Sequence, residues 1–143
     1  TIPALARGRA KAGKTMEGFE ISGPGFVVTG GTDEEIERAA AGTRQQIAFY
    51  GSTPAYRGVL EAHGWGDLQT ELNTLSKRGQ WVEMGNLIDD DVLHAFAVVA
   101  TPEEIAPQLK ARYGDIIQRI SFYTPYDNDR ERWGQVLADL KAV

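Results

Sequence analysis

Val27-Val28-Thr29-Gly30-Gly31-Thr32-Asp33-Glu34-Glu35-Ile36 carries the chain from one kind of structure into another. An apolar run ends in a polar, glycine-rich turn, and a Thr follows with a Glu three residues beyond it. This is the pattern of a capping box, in which the Thr oxygen accepts a free backbone N–H and the Glu reaches back to a second. A second stretch, Val98-Val99-Ala100-Thr101-Pro102-Glu103-Glu104-Ile105, repeats the order. Both read as a strand or loop passing into a helix, which places the chain among α/β proteins. Between them lies Ile47-Ala48-Phe49-Tyr50-Gly51-Ser52-Thr53-Pro54-Ala55-Tyr56-Arg57, a turn too polar and too aromatic for a simple connector.

Working outward, the hydrophobic spacing predicts a short helix over 3–15 and a strand over 19–29 that Gly23-Pro24-Gly25 interrupts with a bulge, edge or bend. Thr32 opens a long helix whose buried stripe is Ile36, Ala40, Thr43, Ile47 and Tyr50. Residues 54–62 read as a helix burying Val59 and Leu60. Asp67 caps another, with Leu68, Leu72 and Leu75 on one face, and Gly79 stops it. Trp81 to Leu87 is a short amphipathic turn or helix. Asp89 or Asp90 caps a helix carrying Val92, Phe96 and Val99. The run 95–99 is also compatible with a buried strand, although the three aspartates before it favour the helix. Thr101 opens a helix with Ile105, Leu109 and Tyr113 in register, bent at Pro107 and ended by Gly114. Residues 116–123 form the second strand. A last helix from about Asn128 buries Trp133, Val136, Leu137 and Leu140.

About seven helices therefore accompany two clear strands. Strands separated by helices pair in parallel, and parallel sheets need several strands with both faces covered. The arrangement predicts further strands upstream of Thr1. The absence of an initial Met agrees with a longer parent chain.

Bulk properties narrow the function. The chain has 143 residues, enough for one domain or less, and 42% of them are hydrophobic. The net charge is -5, from 15 basic and 20 acidic residues, which argues against nucleic acid as a partner. Arg7, Arg9, Lys11 and Lys14 read as one solvated helix face. With no Cys there is no disulfide, thiolate or cysteine-based metal chemistry. No apolar run approaches the ~20 residues that span a bilayer, and no signal peptide is visible. A cytoplasmic protein without membrane contact is the expectation.

Several residues offer chemistry. The first strand ends at Thr29-Gly30-Gly31, beside a helix N-terminus that either holds an anion or is an ordinary tight turn. The second ends at Tyr123-Thr124-Pro125-Tyr126, where either tyrosine faces a pocket or the segment is a plain exit loop. Tyr50, Ser52, Thr53, Tyr56 and Arg57 combine hydroxyl donors with flat apolar faces, which suits a flavin-like ring or an aromatic substrate. Arg57 has the geometry for a phosphate or carboxylate. The alternative for this segment is a helix–turn–helix corner broken by Gly51 and Pro54. His63 either caps carbonyls or joins the pocket, and His94 reads as structural or exposed. Asp89-Asp90-Asp91 matches no metal-ligand spacing, so no metal is expected.

The segments 19–36, 47–57, His63-Gly64-Trp65-Gly66-Asp67-Leu68 and 97–105 together resemble the C-terminal part of the luciferase-like monooxygenase superfamily, nearest its deazaflavin-dependent branch. Ala-Thr-Pro-Glu-Glu-Ile at 100–105 is similar to that family's Gly-Thr-Pro-Glu-Glu-Val, with Ala100 in place of Gly. Gly114–Tyr123 looks like the last barrel strand, while Gly23-Pro24-Gly25 departs from the usual apolar strand. The resemblance implies α/β architecture, helix-rich with few parallel strands, as the C-terminal half of a (β/α)8 barrel. It implies an oxidoreductase using FMN or the deazaflavin coenzyme F-420 and acting on a small-molecule substrate. Residues 1–143 would be a single partial barrel domain, closing it and lining the substrate pocket through Tyr50, Ser52, Thr53, Tyr56, Arg57 and His63. Cofactor phosphate and ring contacts would lie upstream. Alone, the chain would bind no cofactor tightly, would lack activity, and would expose apolar surface that drives homo-oligomer formation. The competing reading is a non-catalytic helical interaction module.

Overall fold

A computed structural model describes residues 1–142, the side chain of Pro24 excepted. Its sheet is parallel and three-stranded in the order β2-β1-β3, with β1 (Ser22–Val28) at the centre, β2 (Ala97–Val99) on one side and β3 (Arg119–Tyr123) on the other. Phe26 lies opposite Ala97 and Tyr123 at once, and Val28 lies opposite Val99. The central strand is covered on both faces, which is why Phe26-Val27-Val28 is a continuous apolar run and not an alternating one.

Helices fill the two layers. Against the Phe26 and Val28 face pack α2 (Asp33–Gly51), α4 (Gly66–Lys77), α5 (Trp81–Asn86) and α6 (Asp90–Phe96). Their shared core includes Ala40, Ile47, Ala48, Leu72, Met84, Val92 and Leu93. Against the opposite face pack α7 (Pro102–Tyr113) and α8 (Arg130–Ala142), around Val27, Val98, Ile105, Leu109 and Val136. α1 (Ile2–Lys11) buries no residue, and its Arg9 bonds the Thr15 carbonyl at 2.8 Å. A 3-10 turn, Pro54–Tyr56, and α3 (Arg57–Glu61) bridge α2 to α4. The chain is thus helix-rich α/β with few parallel strands, and the two clear strands pair in parallel as expected.

Several boundaries differ from the sequence expectation, each for a physical reason. β1 begins at Ser22 and runs unbroken through Gly23-Pro24-Gly25, which pair with Ile120, Ser121 and Phe122. β2 pairs only with 26–28, so at Pro24 one side of β1 has no ladder partner among the described residues and the missing N–H costs nothing there. The run 95–99 is divided between both predicted states. α6 ends at Phe96 and β2 starts at once, because the Arg112 guanidinium bonds the carbonyls of His94, Ala95 and Ala97 across the junction. Val99 is therefore a strand residue.

The two capping signals part company. Thr32 accepts from the Glu35 N–H at 3.2 Å, and Glu35 reaches back to Gly31 at 2.6 Å, one residue beyond the usual box. Thr101 makes no side-chain cap, and Pro102 with Glu103 and Glu104 starts α7 through preset φ and the helix dipole. Asp67 sits within the first turn of α4, behind Trp65, while Asp89 does cap α6, at 2.9 Å from the Val92 nitrogen. Val59 and Leu137 are exposed, not core, since Leu60 and Val136 beside them take the buried positions. Among the described residues no helix is long and apolar enough to cross a membrane.

Candidate functional site

A cleft of about 590 Å³ opens beside the sheet where α2 ends. Phe26 and Tyr123 from the paired strands form one wall, their rings edge to face at 5.3 Å. Tyr50 and Tyr56 form the other, 6.1 Å apart and nearly perpendicular. Phe96, Tyr113, Ile47 and Leu60 add to the lining, and none of the lining residues is Asp, Glu, Lys, Arg or His. Gly51 ends α2 in contact range of Leu72 and Leu60, and the backbone then turns through Pro54–Tyr56. That reversal swings Tyr56 back over Tyr50.

The structure separates the residues that the sequence grouped. Tyr50 and Tyr56 line this cleft. Ser52 is buried, its hydroxyl donates to the Phe49 carbonyl at 2.7 Å, and its own carbonyl accepts from Asn73 at 2.9 Å and Gln69 at 3.2 Å. Thr53 precedes the 3-10 turn without a side-chain bond to it. Arg57 is turned to Glu61 at 2.6 Å and to Thr70 at 2.8 Å, so it ties α3 to α4 instead of offering charge to the cleft. His63 stacks on Trp65 at 4.8 Å and meets the edge of Phe96 at 5.7 Å, behind the cleft wall. Phe26 and Tyr113 were legible only as core-facing residues of a strand and a helix. Nothing local in sequence announced that both border an opening.

A second cleft, about 510 Å³, lies at the carboxyl ends of β1 and β3. It joins the two strand ends singled out above, Thr29 from one and Pro125–Asp129 from the other. Glue between them is polar. Tyr126 donates its hydroxyl to the Val27 carbonyl at 2.7 Å. Burial pushes this phenol up to about 12, against the opposing pull of the Thr29 backbone and the Arg132 charge. Glu35 accepts from Gly31 and pairs with Arg132 at 2.8 Å. The Gly31 N–H first, then Arg132, hold its carboxyl below the usual range. Asp129 caps α8 at 2.9 Å from the Arg132 nitrogen, which lowers it likewise. The anion position at the α2 N-terminus is therefore filled from within the chain, by Glu35. Among the described residues no group of three or more His, Cys, Asp or Glu is placed to hold a metal.

Comparison with known proteins gives a consistent answer. The model of a family described as luciferase-like monooxygenase matches residues 1–119. Uncharacterized proteins of Mycobacterium bovis and Mycobacterium tuberculosis are each 52% identical to the chain over 120 residues. Those matches cover 84% of this chain and 35% of each relative, so the chain spans only about a third of the length of the relatives it matches.

Proposed function

The chain belongs to the luciferase-like monooxygenase family, and from that premise we propose that it forms the C-terminal portion of a flavin- or deazaflavin-dependent oxidoreductase. The observation that carries this reading is the aromatic cleft set against the β1–β3 pair. Its walls fit a flat ring system: Phe26, Tyr50, Tyr56 and Tyr123 offer apolar faces with hydroxyl tips. They do not fit a phosphate, because no Lys, Arg or His lines the cleft, and Arg57 is committed to Glu61 and Thr70. These residues would hold the ring of the cofactor or a flat substrate beside it, and a phosphate would have to find its partners elsewhere in the protein. When bound, a flavin or deazaflavin supplies hydride transfer. The chain's own part is to orient the ring, donate hydrogen bonds from tyrosine hydroxyls and keep water off the reacting face.

Because the relatives are longer than this chain, the reaction is assigned to the whole protein, to whose barrel this chain would contribute parallel strands. Residues 1–143 alone would show no turnover. The half-exposed Tyr50, Tyr56, Val59 and Tyr123 would then meet the rest of the barrel or a second copy of the chain.

Titration of FMN and deazaflavin fluorescence against the natural-length protein tests the reading. Quenching by the wild type and at least a tenfold weaker affinity in Tyr56→Ala are expected, since a lost aromatic contact of about 1.4 kcal/mol is a factor of ten. Saturable binding that ignores Tyr50→Ala and Tyr56→Ala alike would move the ring to another part of the molecule.

A further inference from the structure

We infer that Arg112, behind the aromatic cleft, is the positioning residue that sets the separation of two cleft walls, and so tunes ring binding without touching the ring. The inference rests on the ring-binding reading above. It starts from the way α6 ends. The helix stops at Phe96 and the chain passes at once into β2, with Ala97 extended at the C-cap and its N–H donating to the Leu93 carbonyl. No glycine turn closes the helix, so the carbonyls of its last turn need donors from elsewhere. Arg112 supplies them from α7. Its Nη1 donates to the carbonyls of His94 and Ala97, each at 3.0 Å, and its Nη2 donates to the carbonyl of Ala95.

The place of this clasp gives it a consequence. Ala95 and Phe96, at the helix end that Arg112 holds, both line the aromatic cleft, and so does Tyr113, the next residue of α7. Arg112 itself faces a different groove, beside His94 and Val98. Phe96 packs against the core under α2, α4, α5 and α6, whereas Tyr113 packs against the core under α7 and α8. The two walls therefore belong to opposite layers of the molecule. Their separation depends on what joins the layers at this end of the sheet. Among the described residues, no other side-chain hydrogen bond joins α6 to α7.

Chemistry explains why the clasp is an arginine. A guanidinium is a planar fork that reaches three acceptors at once, whereas an ammonium is a single point. Arg112 is absent from the ion pairs formed among the described residues, so no carboxylate competes for it. Its charge faces the C-terminal carbonyls of α6, where a cation is favoured. The guanidinium carbon also lies 5.4 Å from the centroid of the Tyr113 ring, so one group touches both walls. A flat ring needs those walls at a fixed separation, and a misplacement of about 1 Å is enough to matter at such a site.

The test uses the natural-length protein and lumichrome, a neutral tricyclic ring without a phosphate, followed by fluorescence. Arg112→Met should weaken lumichrome binding about tenfold. Arg112→Lys should recover part of that loss. Guanidinium ion added to Arg112→Ala should restore binding, which a general loss of stability would not allow. Aromatic NMR spectra of the ligand-free proteins read the geometry directly. The Phe96 and Tyr113 resonances should shift in Arg112→Met and return in Arg112→Ala with guanidinium. Wild-type resonances or wild-type lumichrome affinity in Arg112→Met would overturn the inference. Failure of lumichrome to bind the wild type would instead overturn the ring-binding reading, and the NMR comparison would still decide whether Arg112 sets the walls. Where Arg112→Met does not fold, Arg112→Lys takes its place: severalfold weaker binding supports the inference, and wild-type binding overturns it.

Discussion

Thr29 is buried and Tyr126 half-buried, and the fold treats the two polar side chains differently. Tyr126 has its partner in the Val27 carbonyl, whereas Thr29 has none among the described residues. In the ligand-free protein, Thr29→Val should therefore raise stability by about 1 kcal/mol, measured by urea unfolding, because an unpaired buried hydroxyl is removed without changing shape. A loss of stability would show that the hydroxyl is bonded. Tyr126 also predicts a pH effect. Its folded pKa of about 12 lies above the unfolded value near 10. The unfolded chain ionises first, so stability falls as pH rises through that window, and ultraviolet titration should show one tyrosine ionising late. Glu35 and Asp129 carry the opposite sign. Their folded pKa values are depressed, so their stabilisation is present above the unfolded carboxylate range near 4. It is lost as pH falls through the lower folded values. Glu35→Gln should flatten the acid limb of a stability–pH curve, and an unchanged limb would mean that the Gly31 and Arg132 contacts contribute nothing. At this scale the sequence was partly legible. Of the residues grouped at 50–63, Tyr50 and Tyr56 line a cleft, yet Ser52, Arg57 and His63 have local partners that no spacing rule reveals.

The elements follow the same rule of near neighbours against distant ones. α2 was readable because its cap, stripe and stop all lie within its own residues, Thr32 to Gly51. β2 was readable only as an alternative to a longer helix, since its three residues become a strand through pairing with β1 and through Arg112 closing the α6 junction. Thr101 shows the converse, a matching motif without the bond. Two helix glycines separate intrinsic propensity from packing. Gly134 in α8 has open space where a Cβ would stand, so Gly134→Ala should stabilise by up to about 1 kcal/mol. Gly42 in α2 faces the Pro125 carbonyl oxygen, so Gly42→Ala should destabilise by about 1–3 kcal/mol despite the better helix former. Thermal melts of the two variants should move in opposite directions. Movement in the same direction would mean that the segment after β3 yields freely.

For the molecule as a whole, a parallel, helix-covered sheet was legible from Phe26-Val27-Val28 and from the helices between strands. The aromatic cleft was only half legible, because it is assembled from positions as distant as Phe26, Tyr56, Phe96 and Tyr123. Its walls combine two strands and five helical segments, which sequence order keeps apart. The chain belongs to the luciferase-like monooxygenase family and spans about a third of the length of its relatives, so the redox role proposed for the cleft is tested on the natural-length protein. The most direct measurement is turnover of FMN or deazaflavin by the natural-length protein, with Tyr50→Ala and Tyr56→Ala variants and residues 1–143 assayed alongside. The account predicts turnover with one of the two cofactors, strong impairment in both variants, and none from residues 1–143. Full activity in both variants, or turnover by residues 1–143 alone, would contradict it.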